Sequence, residues 1–238
     1  MAAGVQQFIP MNAIEPSKVA AAPLTQAEIA AIEAGVKALE ARVGTQIVAA
    51  VVDRSDAYHG LRWRAFAIAV SLGGLGVVLA DEMVTGWPKA HGVLLSVALV
   101  LGAGAAAALA ATLLPAFARL FLEPLRADTA VAREAEALFL QREFFGTEGR
   151  TALLLLASRF EGRSAVYADR GVRERISDAA WSAVTARMNP LLAAGRTADA
   201  LLAGLVAAEP LLATLPGRWA GNRANEVADA PIVAAGPR

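Results

Sequence analysis

The chain has 238 residues, with 22 basic and 22 acidic side chains and no cysteine. A net charge of zero argues against nucleic-acid binding, which calls for a basic patch or stripe. The missing thiols exclude disulfides, thiolate metal sites and cysteine nucleophiles. The 56% hydrophobic content exceeds the roughly 45–50% of ordinary soluble domains, and much of the excess lies in two central runs.

Residues 1–22 read as a flexible N-terminal arm, with Pro10, Pro16 and Pro23 as breakers. They lack the charged start and continuous apolar core of a signal peptide, which predicts that the segment ahead of the apolar runs stays in the cytoplasm. Thr25 and Glu28 match a capping box. Ile29, Ile32, Val36 and Leu39 follow at helical spacing, and Gly44 is placed to end that helix. Residues 45–53 read as a mostly buried strand closed by the polar turn Asp53-Arg54-Ser55-Asp56. Residues 23–61 thus form the first part of a cytoplasmic domain.

Residues 62–118 read as a transmembrane helical hairpin. The runs Ala65–Ala80 and Val93–Leu114 contain no Asp, Glu, Lys or Arg. About 20 apolar helical residues span a hydrocarbon core of about 30 Å. The second run meets that length, and the first reaches it if Trp63 and Arg64 sit at the interface. Arg54, Arg62 and Arg64 precede the hairpin, and Arg119, Arg126 and Arg133 follow it, while the connector holds only Lys89. This bias places both flanks in the cytoplasm and the connector outside. Arg62, Trp63, Arg64, Trp87 and Arg119 are the expected membrane-interface residues. Ala69 with Gly73, and Gly104 with Ala108, supply small surfaces for close helix packing. The membrane interior carries no ionisable group, which argues against a transport or proton path.

Residues 119–215 read as the second part of the domain. A helix is expected over 128–145, strands over 151–157 and 164–168 as an antiparallel hairpin, and helices from Ser177-Asp178 to about 194 and from Thr197 or Asp199 to about 209. Trp181 and Met188 are expected core residues. Residues 216–238 read as a flexible tail. A lone strand over 45–53 would leave its backbone unpaired, so it should join the later two. The expected fold is α/β: a small mixed sheet with flanking helices, interrupted by a two-helix transmembrane hairpin.

The wording of the flanks resembles the TPM domain family. The matching segments are LTQAEIAAIEAGVKALEARVGTQIVAAVVD at 24–53, TALLLLASRFEGRSAVYADRGV at 151–172 and AAGRTADALLAGL at 193–205. The resemblance implies a compact α/β domain, often membrane-attached, in a family linked to phosphatase activity, photosystem repair and receptor accessory roles. Many relatives carry Asp-Asn-Gly where this chain has Thr147-Glu148-Gly149, and a Gly-rich turn where it has Ala168-Asp169-Arg170-Gly171. These departures weaken transfer of an acidic metal or phosphatase site.

Asp53 and Asp169 each end a predicted strand. Side by side, with Glu148, they would form an acidic rim suited to Ca²⁺ or Mg²⁺, although Asp at a strand end more often makes a turn. Arg163, Arg170, Arg173 and Arg175 are expected around one turn, as an anion or lipid contact or as a solvated face paired with Glu161, Asp169 and Glu174. Ser158 and Ser164 have no local histidine, and His59 has no partner for base catalysis. No catalytic residue is identifiable and no cofactor is expected. The function that follows is a non-enzymatic accessory or assembly module, two-pass in the bacterial inner membrane with both termini cytoplasmic. Its expected partners are the bilayer and a membrane protein. A membrane-anchored, metal-dependent phosphatase is the alternative.

Overall fold

The computed structural model describes residues 24–83, 89–146, 150–215 and 229–236. Arm residues 1–22, Trp87, Glu148 and most of the 216–238 tail lie outside them. Thr25 caps helix α1 (Gln26–Val43) with both hydrogen bonds of the capping box, and Gly44 closes it in the left-handed conformation at φ 74°. Strand β1 (Ile47–Val52) follows. Helices α2 (Leu61–Met83), α3 (Lys89–Leu113), α4 (Pro115–Arg119) and α5 (Pro124–Gln141) come next. The chain then returns as β2 (Leu153–Ser158) and β3 (Arg163–Ala168). A short helix α6 (Arg170–Arg173), then α7 (Asp178–Ala193), α8 (Thr197–Leu212) and strand β4 (Ile232–Ala234) complete the order.

The sheet runs β3-β2-β1-β4. β1 is parallel to β2 and to β4, and β2 is antiparallel to β3. β1 and β2 are buried along their whole length, which is why their sequences are continuous apolar runs without alternation. One face (Ile47, Ala49, Val51, Leu153, Leu155, Ala157) packs under α1, α7 and α8. The other face (Val48, Ala50, Val52, Leu154, Leu156) packs under α5 through Val131, Ala135, Leu138 and Phe139. Trp181 and Met188 belong to the first core as expected. The parallel pair β1–β2 needs a long crossover, and the apolar hairpin lies within it.

Two boundaries differ from expectation. α5 begins at Pro124, where proline at the first turn costs no hydrogen bond, and it stops at Gln141. Glu143 then turns left-handed at φ 54° ahead of a 3-10 turn at Phe144–Gly146. The tail expected to be flexible contributes strand β4. Its residues 232–234 add to β1 with Ala50 opposite Ile232, and Asp53 donates its backbone N–H to the Ala234 carbonyl at 3.1 Å.

α2 and α3 are long and apolar enough to cross a membrane, with 6% of each apolar window buried. They pack on each other where Gly104 faces Val70 and Phe66. Leu72, Val78, Leu94, Leu99 and Leu109 are among the large apolar side chains on their outer surface.

Candidate functional site

The direction of each strand fixes which ends of the sheet share chemistry. Val52 pairs with Ser158 and Ser158 with Arg163, so the end of β1, the β2–β3 turn and the start of β3 lie together. Ile47, Leu153 and Ala168 mark the opposite end. A six-residue strand is roughly 17–20 Å long. Asp53 and Asp169 therefore stand at opposite ends, and the acidic rim expected from them does not form. The β2–β3 hairpin reverses the chain, carrying Asp169 away from Asp53. Glu148 lies outside the described residues, among which no group of three or more His, Asp or Glu could hold a metal ion. Arg163 is likewise separated from Arg170, Arg173 and Arg175 by the length of β3, so the four do not share a turn.

The end of the sheet beside the hairpin is a dense polar and aromatic joint. Phe160, in the β2–β3 turn, packs in one cluster with Tyr58, Leu61, Ala118 and Ala130. Arg54 lies over its ring at 4.2 Å from the centroid. Arg119 donates to the Phe160 carbonyl at 2.8 Å and the Arg159 carbonyl at 2.9 Å. This expected interface arginine thus ties the foot of the hairpin to the sheet. Arg159 pairs with Asp53 at 3.2 Å, Arg126 with Asp56 at 3.1 Å, and Arg163 with Asp128 at 3.4 Å. Arg62, Trp63 and Arg64 are exposed at the start of α2.

Beneath this joint, Glu161 is buried and accepts from the Ser55 N–H at 2.8 Å and from the Ser158 hydroxyl. The Ser55 hydroxyl donates to Ser158 Oγ at 3.0 Å. Burial, and then the nearby Glu161, push the Tyr58 phenol well above its ordinary value. Burial followed by the same carboxylate raises Glu134. Glu161 was expected on a solvated face. It is drawn inward because the Ser55 backbone and Ser158 hydroxyl need an acceptor. No local pattern could have revealed this network, since Ser55 and Ser158 are 103 residues apart. The Ser158 hydroxyl is thus held by a buried carboxylate, and His59 is exposed.

The far end carries a cleft of about 360 Å³ between the end of α5, Arg150 and the β3–α6 turn. Arg150 lies over the Phe145 ring and Arg173 over Tyr167, at 5.6 and 5.7 Å. Neither has a carboxylate partner among the described residues, whereas Arg170 pairs with Glu174 at 2.7 Å. Asp169 is buried and accepts from the Arg170 N–H at 2.7 Å, capping α6, as the turn reading expects. Its Oδ2 has no hydrogen-bond partner among the described residues. Arg150 was not anticipated; its left-handed φ of 55° and its place before β2 bring it to this cleft.

The architecture is a three-layer α/β domain whose β1–β2 crossover carries an apolar helical hairpin. Residues 121–210 match the model of the TPM domain. The NMR structure of the BA42 protein from the psychrophilic bacterium Bizionia argentinensis shares the fold, at 13% identity and a TM-score of 0.52. The likeness covers 88% of this chain and 94% of that one. No curated protein matches the chain.

Proposed function

We propose that the chain is a two-pass protein of the bacterial cytoplasmic membrane, whose cytoplasmic TPM domain is a non-enzymatic accessory or assembly module. The observation that carries this reading is the hairpin. Between its charged ends its outer surface is dominated by large apolar side chains, with no Asp, Glu, Lys or Arg in 65–80 or 93–114; water would penalise that surface at roughly 25 cal/mol per Å², and its foot is fastened to the sheet by Arg119 and Phe160. The domain is then held at a fixed attitude, with the Arg150–Arg173 cleft turned away from the bilayer and open to a membrane-protein partner. The phosphatase alternative needs converging carboxylates, and Asp53 and Asp169 are a sheet length apart.

Topology can be read on the natural chain, because it has no cysteine to remove. Single substitutions Thr85→Cys in the connector, and Ser177→Cys and Thr214→Cys in the domain, are exposed to a membrane-impermeant maleimide on intact spheroplasts. The expected outcome is labelling at 85, and at 177 and 214 only after lysis. Labelling at 214 in intact spheroplasts, or recovery of the protein without detergent, refutes the reading. Turnover of a phosphomonoester dependent on added Ca²⁺ or Mg²⁺ would refute its non-enzymatic part.

A further inference from the structure

A groove of about 470 Å³ runs between the first turns of α2 and the 120–123 segment. Its walls are Ala67, Ile68, Leu120, Phe121 and Leu122, and its mouth is Arg64 and Glu123. Leu120 is 75% exposed and Ile68 48%, so the wall is continuous with the apolar surface of the hairpin. The charges at the mouth are loosely engaged. Arg64 reaches Glu123 at 3.4 Å and the Phe121 carbonyl at 3.5 Å, beyond the roughly 2.7–2.9 Å of a well-formed charge-assisted bond. Glu123 is the N-cap residue of α5 but makes no side-chain cap bond. A guanidinium with five donors and the carboxylate it pairs with at long range thus stand side by side above an apolar trough.

We infer that this groove seats one phospholipid with an amine headgroup, its phosphate on Arg64, its ammonium on Glu123 and the start of its acyl chains along Ile68 and Leu120. The inference rests on the membrane reading above. Charge selects the headgroup: one cation and one anion match a zwitterion, whereas a lipid with a net negative headgroup would meet the Glu123 carboxylate. Depth agrees as well. α2 has 23 residues, about 35 Å at 1.5 Å each, so a hairpin centred in a bilayer has Arg64, near the start of α2, at headgroup level. Of the four arginines expected as a lipid contact, Arg170, Arg173 and Arg175 lie at the end of the sheet away from the hairpin and Arg163 pairs with Asp128, so the contact is assigned instead to this groove.

The test is native mass spectrometry of the full chain in mild detergent, with equal amounts of phosphatidylethanolamine and phosphatidylglycerol added. The expected result is one retained phosphatidylethanolamine, preferred by about tenfold, the size of one charge-assisted contact. Glu123→Gln should abolish the preference, and Arg64→Gln should weaken retention of both lipids. Ala67→Phe, at an exposed position, should fill the groove and displace the lipid without altering the melting temperature measured in detergent with no added lipid. Equal retention of both lipids, preference for phosphatidylglycerol, or retention unchanged by Ala67→Phe overturns the inference. Failure of the membrane reading looks different: the protein would then be recovered from the soluble fraction without detergent.

Discussion

Glu40 ends α1 facing the buried Asp229, so two carboxyl groups share a site at the start of β1. Burial raises Glu40 from 4.5 to about 7, and Asp229 adds to the rise. The Ile47 N–H, donating to Glu40 Oε1 at 2.6 Å, opposes it, and Lys37 stands 3.9 Å from Asp229. A carboxyl whose folded value is raised holds its proton longer in the native state. Its favourable contribution is therefore complete below about 4.5 and is lost as pH rises through about 7. The melting temperature of the detergent-solubilised protein should fall between about pH 5 and 8. Glu40→Gln keeps the acceptor for Ile47 and offers Asp229 an uncharged donor, so it should flatten that fall. A wild-type profile already flat over this range would refute the shared proton. Nothing near Glu40 in the sequence announces this pair, because Asp229 lies just ahead of strand β4, almost two hundred residues later. Asp53 and Asp169 teach the complementary lesson. Their place at strand ends was legible, but whether they meet depends on β1 running parallel to β2, and local sequence does not specify that direction.

At the scale of elements, the hairpin's own packing makes the sharpest prediction. A Cβ built on Gly104 would lie 2.6 Å from Val70 Cγ2 and 2.8 Å from the Phe66 ring, whereas one on Gly102 meets nothing within 4 Å. Close approach is how helices gain contact where lipid removes the hydrophobic drive. Gly104→Val should force α2 and α3 apart and cost about 1–3 kcal/mol, as overpacking does. Gly102→Val, on the outer surface, should leave the thermal melt unchanged. Equal effects from both substitutions would show that α3 does not pack through Gly104. Periodicity and caps made most helices legible. Thr25 with Glu28, Ser177 with its bond from the Ala180 N–H, and the left-handed Gly44 mark ends that local chemistry sets. The unbroken apolar runs at Ile47–Val52 and Leu153–Ser158 betrayed strands buried on both faces. Strand β4 was not legible. It has three residues, one exposed and two only partly buried, and its order comes from β1, 182 positions earlier at the Ala50–Ile232 pair.

For the whole molecule, the hairpin is an insertion that leaves the domain's cores intact. The two cores against the sheet, and the cluster at the hairpin foot, contain no described residue between 62 and 117. Leu61 and Ala118, on either side of that stretch, belong to the same cluster with Tyr58 and Phe160. The chain thus leaves and re-enters the domain at neighbouring points, and a short bridge can replace the whole excursion. Closing a loop costs free energy that grows only slowly with length, so exchanging 62–117 for a short Gly/Ser linker should leave α1 and β1 free to join β2. The shortened protein should be monomeric without detergent, because the exposed Leu72, Val78, Leu94, Leu99 and Leu109 depart with the excised segment. It should unfold in one cooperative transition, as a single domain with its cores intact does. It should also lose membrane recovery and lipid retention together, since the wall of Ala67 and Ile68 is gone. Size-exclusion chromatography and a circular-dichroism melt decide the matter. An aggregated or gradually melting product would mean that the hairpin is part of the fold rather than an anchor attached to it.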